Sequence, residues 1–423
     1  MREPESSAFL GSRLARRDMP RNAPRRALLA WRNAVFAVFF VSGLSLATWV
    51  SRVPAVRDGL QLDLTEVGIV IFGLSAGSIL GLLVAAWLLA RLGARRAMVL
   101  SISITTVGLI AVGAGSSLFP SASVVFVGLA FVGFGMGSVD VMMNVEGAAA
   151  EREIGKTLMP LMHACFSLGT VVGALLGAGA SAVHVSVFWH LAMMAIIALV
   201  TTIVAVRSIP LRAELGDDTS KLDHTASQVN WRVRLRENLS VWGDLKVLLI
   251  GVIVLGMTFA EGSANDWLAL AAVDGHDLTN TTGAIVFGVF VSAMTVGRVL
   301  GGPVLDRFGR IQVLRACAAL GIIGLLLFIL APTTWLVVVG TVLWGLGASL
   351  GFPVGMSAAA DDTKHAAARV SAVAIIGYFA FLVGPPVLGL LGQAFGILNA
   401  LYVILALMVL AGLAAPAARE RSA

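Results

Sequence analysis

Gly297–Ile311 reads GRVLGGPVLDRFGRI, and Gly81–Arg95, lying 216 positions earlier, reads GLLVAAWLLARLGAR. Superposed at that offset, Gly81 meets Gly297, Arg91 meets Arg307 and Gly93 meets Gly309. A second echo lies further along each copy, where Gly133 and Gly135 match Gly345 and Gly347 at an offset of 212. The chain therefore reads as two similar halves. In a membrane protein, a pair of such repeats places a binding site at the interface between them.

The rest of the composition supplies the membrane. Of 423 residues, 58% are hydrophobic and only 13% charged, against about a quarter charged in soluble domains. That excludes a water-soluble enzyme, a disordered chain and a disulfide scaffold. A spanning helix needs roughly 20 apolar residues, and apolar runs of spanning length occur twelve times: 33–51, 65–90, 97–115, 122–145, 158–182, 186–206, 247–272, 282–305, 311–331, 334–357, 370–393 and 397–415. The predicted fold class is an all-α membrane protein with twelve transmembrane helices in two pseudo-symmetric six-helix bundles.

Charge gives the orientation, because Lys- and Arg-rich loops resist translocation and stay in the cytoplasm. With the N-terminus inside, 27 of the 30 basic residues fall on inner segments, the exceptions being Arg52 and Arg57 in the first outer loop and Arg298 inside the eighth run. Both termini are expected in the cytoplasm of a multi-pass inner (plasma) membrane protein. The net charge of +6 then encodes topology and not affinity for nucleic acid. The domain expectation is a disordered basic tail over 1–31, an N-terminal bundle over 32–207, a linker over 208–245 with a short amphipathic helix near Val229–Leu239, a C-terminal bundle over 246–416 and a tail over 417–423.

The loop Gly302-Pro303-Val304-Leu305-Asp306-Arg307-Phe308-Gly309-Arg310, between the eighth and ninth runs, resembles the signature loop of the major facilitator superfamily. Its chemistry is that of a tight turn: the Asp suits a helix end and basic neighbours, the Gly permits the turn, and the Arg residues hold to the inner surface. The resemblance implies a latch that joins the halves in an outward-facing state. The first-half copy keeps Arg91, Gly93 and Arg95 but has Ala90 in place of the Asp and Ala94 in place of the first trailing Arg, so the latch is expected to be stronger in the second half.

Helices four and five carry a narrower likeness. Gly137-Ser-Val-Asp140-Val-Met-Met-Asn144 followed by Leu161-Met-His163-Ala-Cys-Phe-Ser167-Leu-Gly169 resembles the fucose:proton symporter branch and the poorly characterised bacterial permeases beside it. That resemblance puts Asp140 in the proton-carrying position. The sequence departs from the branch in having Asp for Glu, Val145 for the following Pro, and no acid in Ser42-Gly-Leu-Ser45-Leu-Ala-Thr48-Trp49 of helix one.

An ionisable side chain inside a span costs roughly 2.5–3.5 kcal/mol on insertion scales, so each needs a partner or a task. Asp140 shares a helix face with Asn144 one turn on, and a carboxyl among apolar side chains suits reversible protonation. The alternative is a fixed pair between packed helices. Glu261 is the second proton-coupling candidate, in the polar run Glu261-Gly-Ser-Ala-Asn265-Asp266-Trp267, with Asn265 on its face and Asp266 and Trp267 expected near the outer interface. Arg298 lies about 12 Å deeper than Asp306 by helical rise; it can bind an anion, pair with Glu261 or another acid, or snorkel to the inner surface. His163, Ser167, Trp49 and Tyr378 complete the cavity candidates, each with packing as the alternative. Arg52 and Arg57, close in sequence to Asp58, Asp63 and Glu66, could attract anions at the outer mouth, with an ion pair closing the outer vestibule as the preferred reading.

Other chemistries fail on spacing. Gly155-Lys156-Thr157 ends like a phosphate loop, but Ala150 stands where the first Gly belongs, so ATP is not implicated. Cys165 and Cys317 lie apart in apolar runs, giving no metal or redox motif. No catalytic residues, cofactor or metal are expected. The reading is a proton-coupled, single-chain (monomeric) secondary transporter of a small polar or sugar-like solute working by alternating access. Its alternatives are proton-driven efflux of drugs or metabolites and, more remotely, a non-transporting membrane sensor.

Overall fold

The computed structural model describes residues 25–155, 158–210, 241–361 and 366–419. Its helices are α1 (Arg25–Val50), α2 (Val53–Leu60), α3 (Leu64–Ser117), α4 (Ala122–Ile154), α5 (Met159–Ala182), α6 (Val187–Ala205), α7 (Leu245–His276), α8 (Asn280–Leu330), α9 (Thr334–Ala348), α10 (Gly351–Ala359), α11 (Ala366–Phe395), α12 (Ile397–Ala400) and α13 (Tyr402–Ala414). There is no strand among the described residues.

Among the described residues, ten helical stretches are long and apolar enough to cross a membrane. Two of them are 54 and 51 residues long. Straight, each would reach roughly 80 Å, over twice the apolar thickness of about 30 Å. Each instead breaks at one glycine, Gly93 (φ 70°, ψ 164°) and Gly309 (φ 73°, ψ 163°), a backbone geometry essentially confined to glycine. Dividing α3 and α8 there gives twelve crossings. The matched dihedrals show in geometry the repeat that opened the sequence.

Helix starts follow from short polar side chains. Asp63 and Glu66 form a reciprocal capping box on α3, with Glu66 N donating to Asp63 Oδ1 (2.8 Å) and Asp63 N to Glu66 Oε2 (3.0 Å). Ser121, Ser186, Asp244 and Thr279 cap α4, α6, α7 and α8. Within each half, glycines bring backbones together. A Cβ on Gly133 would overlap the Leu74 carbonyl, one on Gly81 the Phe134 carbonyl, and one on Gly43 the Phe166 carbonyl, clamping α3 on α4 and α1 on α5. Outward, side chains such as Leu83, Phe119 and Leu413 stand more than 70% exposed, a surface that only lipid would cover.

Hydropathy placed the spans but not their ends. α1 starts at Arg25, within the stretch read as a disordered tail, and α4 runs on to Ile154, beyond the expected 145. Helical hydrogen bonding continues where apolarity stops. The tenth run is split between Ala348 and Gly351. Residues 1–24, the expected amphipathic helix near Val229–Leu239, Lys156, Lys364 and Arg421 lie outside the described residues.

An even number of crossings puts Arg25, the Gly93 and Gly309 turns and Arg419 on one face, here called the terminal face. On the far face the halves are joined. Arg57 pairs with Asp274, Asn280 Nδ2 donates to Asp58 Oδ2 (3.1 Å), and Leu64 N donates to Gln393 Oε1 (3.1 Å). The deepest of these links is Ser75 Oγ donating to the Phe381 carbonyl (2.8 Å), about 16 Å along α3 from Leu64. On the terminal face, Arg95 bonds the Ile209 carbonyl, Arg310 Nη1 pairs with Asp361 Oδ2 (2.7 Å), and Arg369 Nη2 with Asp244 Oδ2 (3.1 Å). The far face is where polar links between the halves are seen.

Candidate functional site

Asp140 and Tyr378 stand at similar depths, about 21 Å from Ile154 along α4 and about 18 Å from Ala366 along α11. Asp140 is exposed and Tyr378 is 39% exposed, and each lies within the other's electrostatic reach across the two halves. Asp140 makes no ion pair among the described residues. Its nearest support is Asn144, whose Nδ2 donates to the Asp140 carbonyl (2.8 Å) and approaches Oδ1 at 3.4 Å. The same-face reading of this pair is what the helix shows, and among the described residues the fixed-pair alternative for Asp140 is absent from this conformation.

Glu261 and Arg298 do pair. Arg298 Nη2 donates to Glu261 Oε1 (2.8 Å) and Oε2 (2.9 Å), while Nε reaches the Ser349 carbonyl (3.3 Å). Their side chains are 15% and 33% exposed, so the guanidinium is held on one side and open on the other. Of the three options the sequence left for Arg298, pairing with Glu261 is the one observed. Glu261 is thereby engaged, unlike Asp140.

His163 is exposed on α5, edge-on to Phe39 at 5.1 Å between ring centroids, and within electrostatic reach of Arg298 in the other half. Carboxylate, amide, imidazole, phenol and guanidinium thus come from α4, α5, α8 and α11, with both halves contributing. Asn265 and Asp266 are half-buried on α7.

Two expected cavity residues are not in it. Trp49 is 2% exposed and Ser167 5% exposed, so both are buried. Trp267 is fully buried, against Gly389. Aromatic and hydroxyl side chains fit either setting, and the choice is made by helices distant in sequence. Phe39, Ser349, Phe381 and Asp274 were missed for the same reason: no local pattern marks a residue whose partner is 217 or 306 positions away.

The signature loop is exposed over most of its length. Gly302, Asp306 and Arg307 are exposed, Asp306 makes no ion pair among the described residues, and Arg307 lies over its neighbour Phe308 at 5.3 Å. Arg310 binds Asp361 and Ser357 within its own half. In the first-half copy, Arg91 lies over Trp87 at 5.7 Å and Arg95 holds the Ile209 carbonyl. A separate groove of about 480 Å³, lined by Leu300, Val304, Phe308, Leu320 and Leu346, is almost wholly apolar and contains neither Asp140 nor Arg298.

The sequence pattern of the Major Facilitator Superfamily matches residues 34–291 and 263–422. The chain belongs to the major facilitator superfamily. It is 30% identical over 383 residues, 88% of this chain and 93% of the relative, to the uncharacterized transporter y4wD of Sinorhizobium fredii. A point mutant of the nucleoside transporter NupG superposes with a TM-score of 0.73 at 14% identity, covering 93% of this chain and 100% of that one. FucP in its outward conformation superposes with a TM-score of 0.62 at 14% identity, covering 94% and 100%. These likenesses show the shared fold, an all-helical transporter architecture of two bundles, and place the superfamily member among membrane transporters and not enzymes.

Proposed function

We propose that this superfamily member is a proton-coupled secondary transporter of a small polar solute, with Asp140 as the proton carrier. The observation that carries the reading is the contrast between two intramembrane acids: Glu261 is bound by Arg298, whereas Asp140 faces the opening between the halves with no cation paired to it among the described residues. A carboxyl free of a fixed partner can take up and release a proton as its surroundings change, and the neutral and charged forms favour different conformations. Arg298, His163, Asn144 and Tyr378 supply donors and acceptors for a polar solute. Glu261 holds Arg298 in place.

With the basic terminal face in the cytoplasm, the far-face links close the outer side of the molecule. Alternating access then requires the far-face links to part while the terminal face closes, bringing the Asp306–Arg310 loop into use.

The test is Asp140→Asn in proteoliposomes carrying an internal pH-sensitive dye, challenged with a panel of pentoses, hexoses, polyols and nucleosides. Wild type is expected to move protons with at least one solute. The variant should lose that proton signal while still showing a thermal shift with the same solute. Undiminished solute-driven proton movement in the variant overturns the assignment of Asp140.

A further inference from the structure

One cation of the membrane domain takes no part in the site above. Arg52, in the turn between α1 and α2, is 4% exposed. Its Nη2 donates to the Val185 carbonyl (2.7 Å), but Nε and Nη1 find no acceptor among the described residues. Within its electrostatic reach is His190, on the first turns of α6, 1% exposed and with both ring nitrogens unpartnered there. Burying an unpaired charge is among the costliest arrangements a protein can hold, and burying an imidazole with neither nitrogen bonded adds to the cost.

The nearby carboxylates in the sequence are engaged elsewhere. Asp58 is held by Arg57 (2.9 Å) and Asn280, and Asp63 and Glu66 are spent on each other in the capping box. The region is more positive still because α6 begins there, capped by Ser186, with the positive end of its dipole beside His190. Gly177 of α5 ties the two together in space: a Cβ on it would overlap the hydroxyl of Ser51, the residue before Arg52, and come within 3.7 Å of His190 Cε1.

We propose that Arg52 and His190 form a buried binding site for a small monovalent anion of halide size. The guanidinium Nε and Nη1 and one imidazole N–H would donate to it. Because Arg52 directly precedes α2, which carries the Arg57 and Asp58 links to the second half, anion occupancy would firm the element on which far-face closure depends.

The experiment compares the thermal unfolding of the purified full chain in sodium chloride, sodium bromide and sodium gluconate at equal ionic strength. The expected result is a saturable rise in Tm with chloride and bromide that gluconate does not give, since an anion that binds only the folded state stabilises it by mass action. The rise should be lost in Arg52→Met and in His190→Phe. If Arg52→Met does not fold, His190→Phe decides the matter. Equal Tm in chloride and gluconate for wild type, or a halide rise undiminished in the variants, overturns the proposal. Anomalous scattering from bromide in crystals of wild-type protein gives a second reading: a peak between Arg52 and His190 supports it, and none there at saturating bromide refutes it.

Discussion

Arg298 takes its position from Glu261, and that dependence is measurable. One guanidinium nitrogen spans both carboxylate oxygens, at 2.8 and 2.9 Å, in a partly buried setting. Removing one partner leaves the other exposed to a poorly solvating environment, which costs several kcal/mol for fully buried pairs and less here because Arg298 is a third exposed. Glu261→Gln and Arg298→Met are each expected to lower stability by about 1–2 kcal/mol, and the double variant by clearly less than the sum. Thermal unfolding of the four proteins checks the cycle; additive losses would show the two side chains to be independent. Both residues, with Asp140, were legible in the sequence because an ionisable group inside an apolar span is expensive and therefore conspicuous. For Trp49 and Ser167 the sequence left cavity and packing both open, since neither type reveals by itself which helix face will meet a neighbour.

At the scale of the helix, glycine does two different jobs that mutation can separate. Gly309 adopts φ 73°, ψ 163° to turn α8 back through the membrane, and a Cβ there would meet nothing within 4 Å. Its constraint is purely torsional, so Gly309→Ala is expected to cost about 1–3 kcal/mol, read as a lower Tm in detergent. Gly133 has ordinary helical geometry but no room, because its Cβ would overlap the Leu74 carbonyl. Gly133→Leu should force α3 and α4 apart and abolish recovery of folded protein. Gly179 on α5 has neither constraint, and Gly179→Ala should leave Tm unchanged or raise it slightly. The turns could be anticipated from the repeat that aligns Gly93 with Gly309. Helix ends could not, because hydropathy reports the thickness of the lipid and α4 outlasts it.

For the whole molecule, the sequence carried the number of crossings and the two-fold repeat but not the conformation, since both conformations of such a transporter bury similar apolar surfaces and differ in a few polar links. Two such links, Arg57 with Asp274 and Asp58 with Asn280, lie at the far face. The side chains of Arg57 and Asp274 are 23% and 21% exposed, so the pair is sheltered without being fully desolvated. Its contribution to far-face closure is expected near the upper end of the exposed-pair range, about 1 kcal/mol, equivalent to roughly a fivefold shift between closed and open populations. Asp274→Asn should therefore raise the reactivity of cysteines placed at Ser75 and Phe381 toward a membrane-impermeant thiol reagent applied from the far side, in a background lacking Cys165 and Cys317. Reversing both charges, Arg57→Asp with Asp274→Arg, should return that reactivity toward the wild-type level, because the attraction is restored with its ends exchanged. If the charge-reversed pair is as reactive as Asp274→Asn alone, the far face is held shut by the packing of Gly68 and Gly389 against α11 and α3, and the ion pair only decorates a closure made elsewhere.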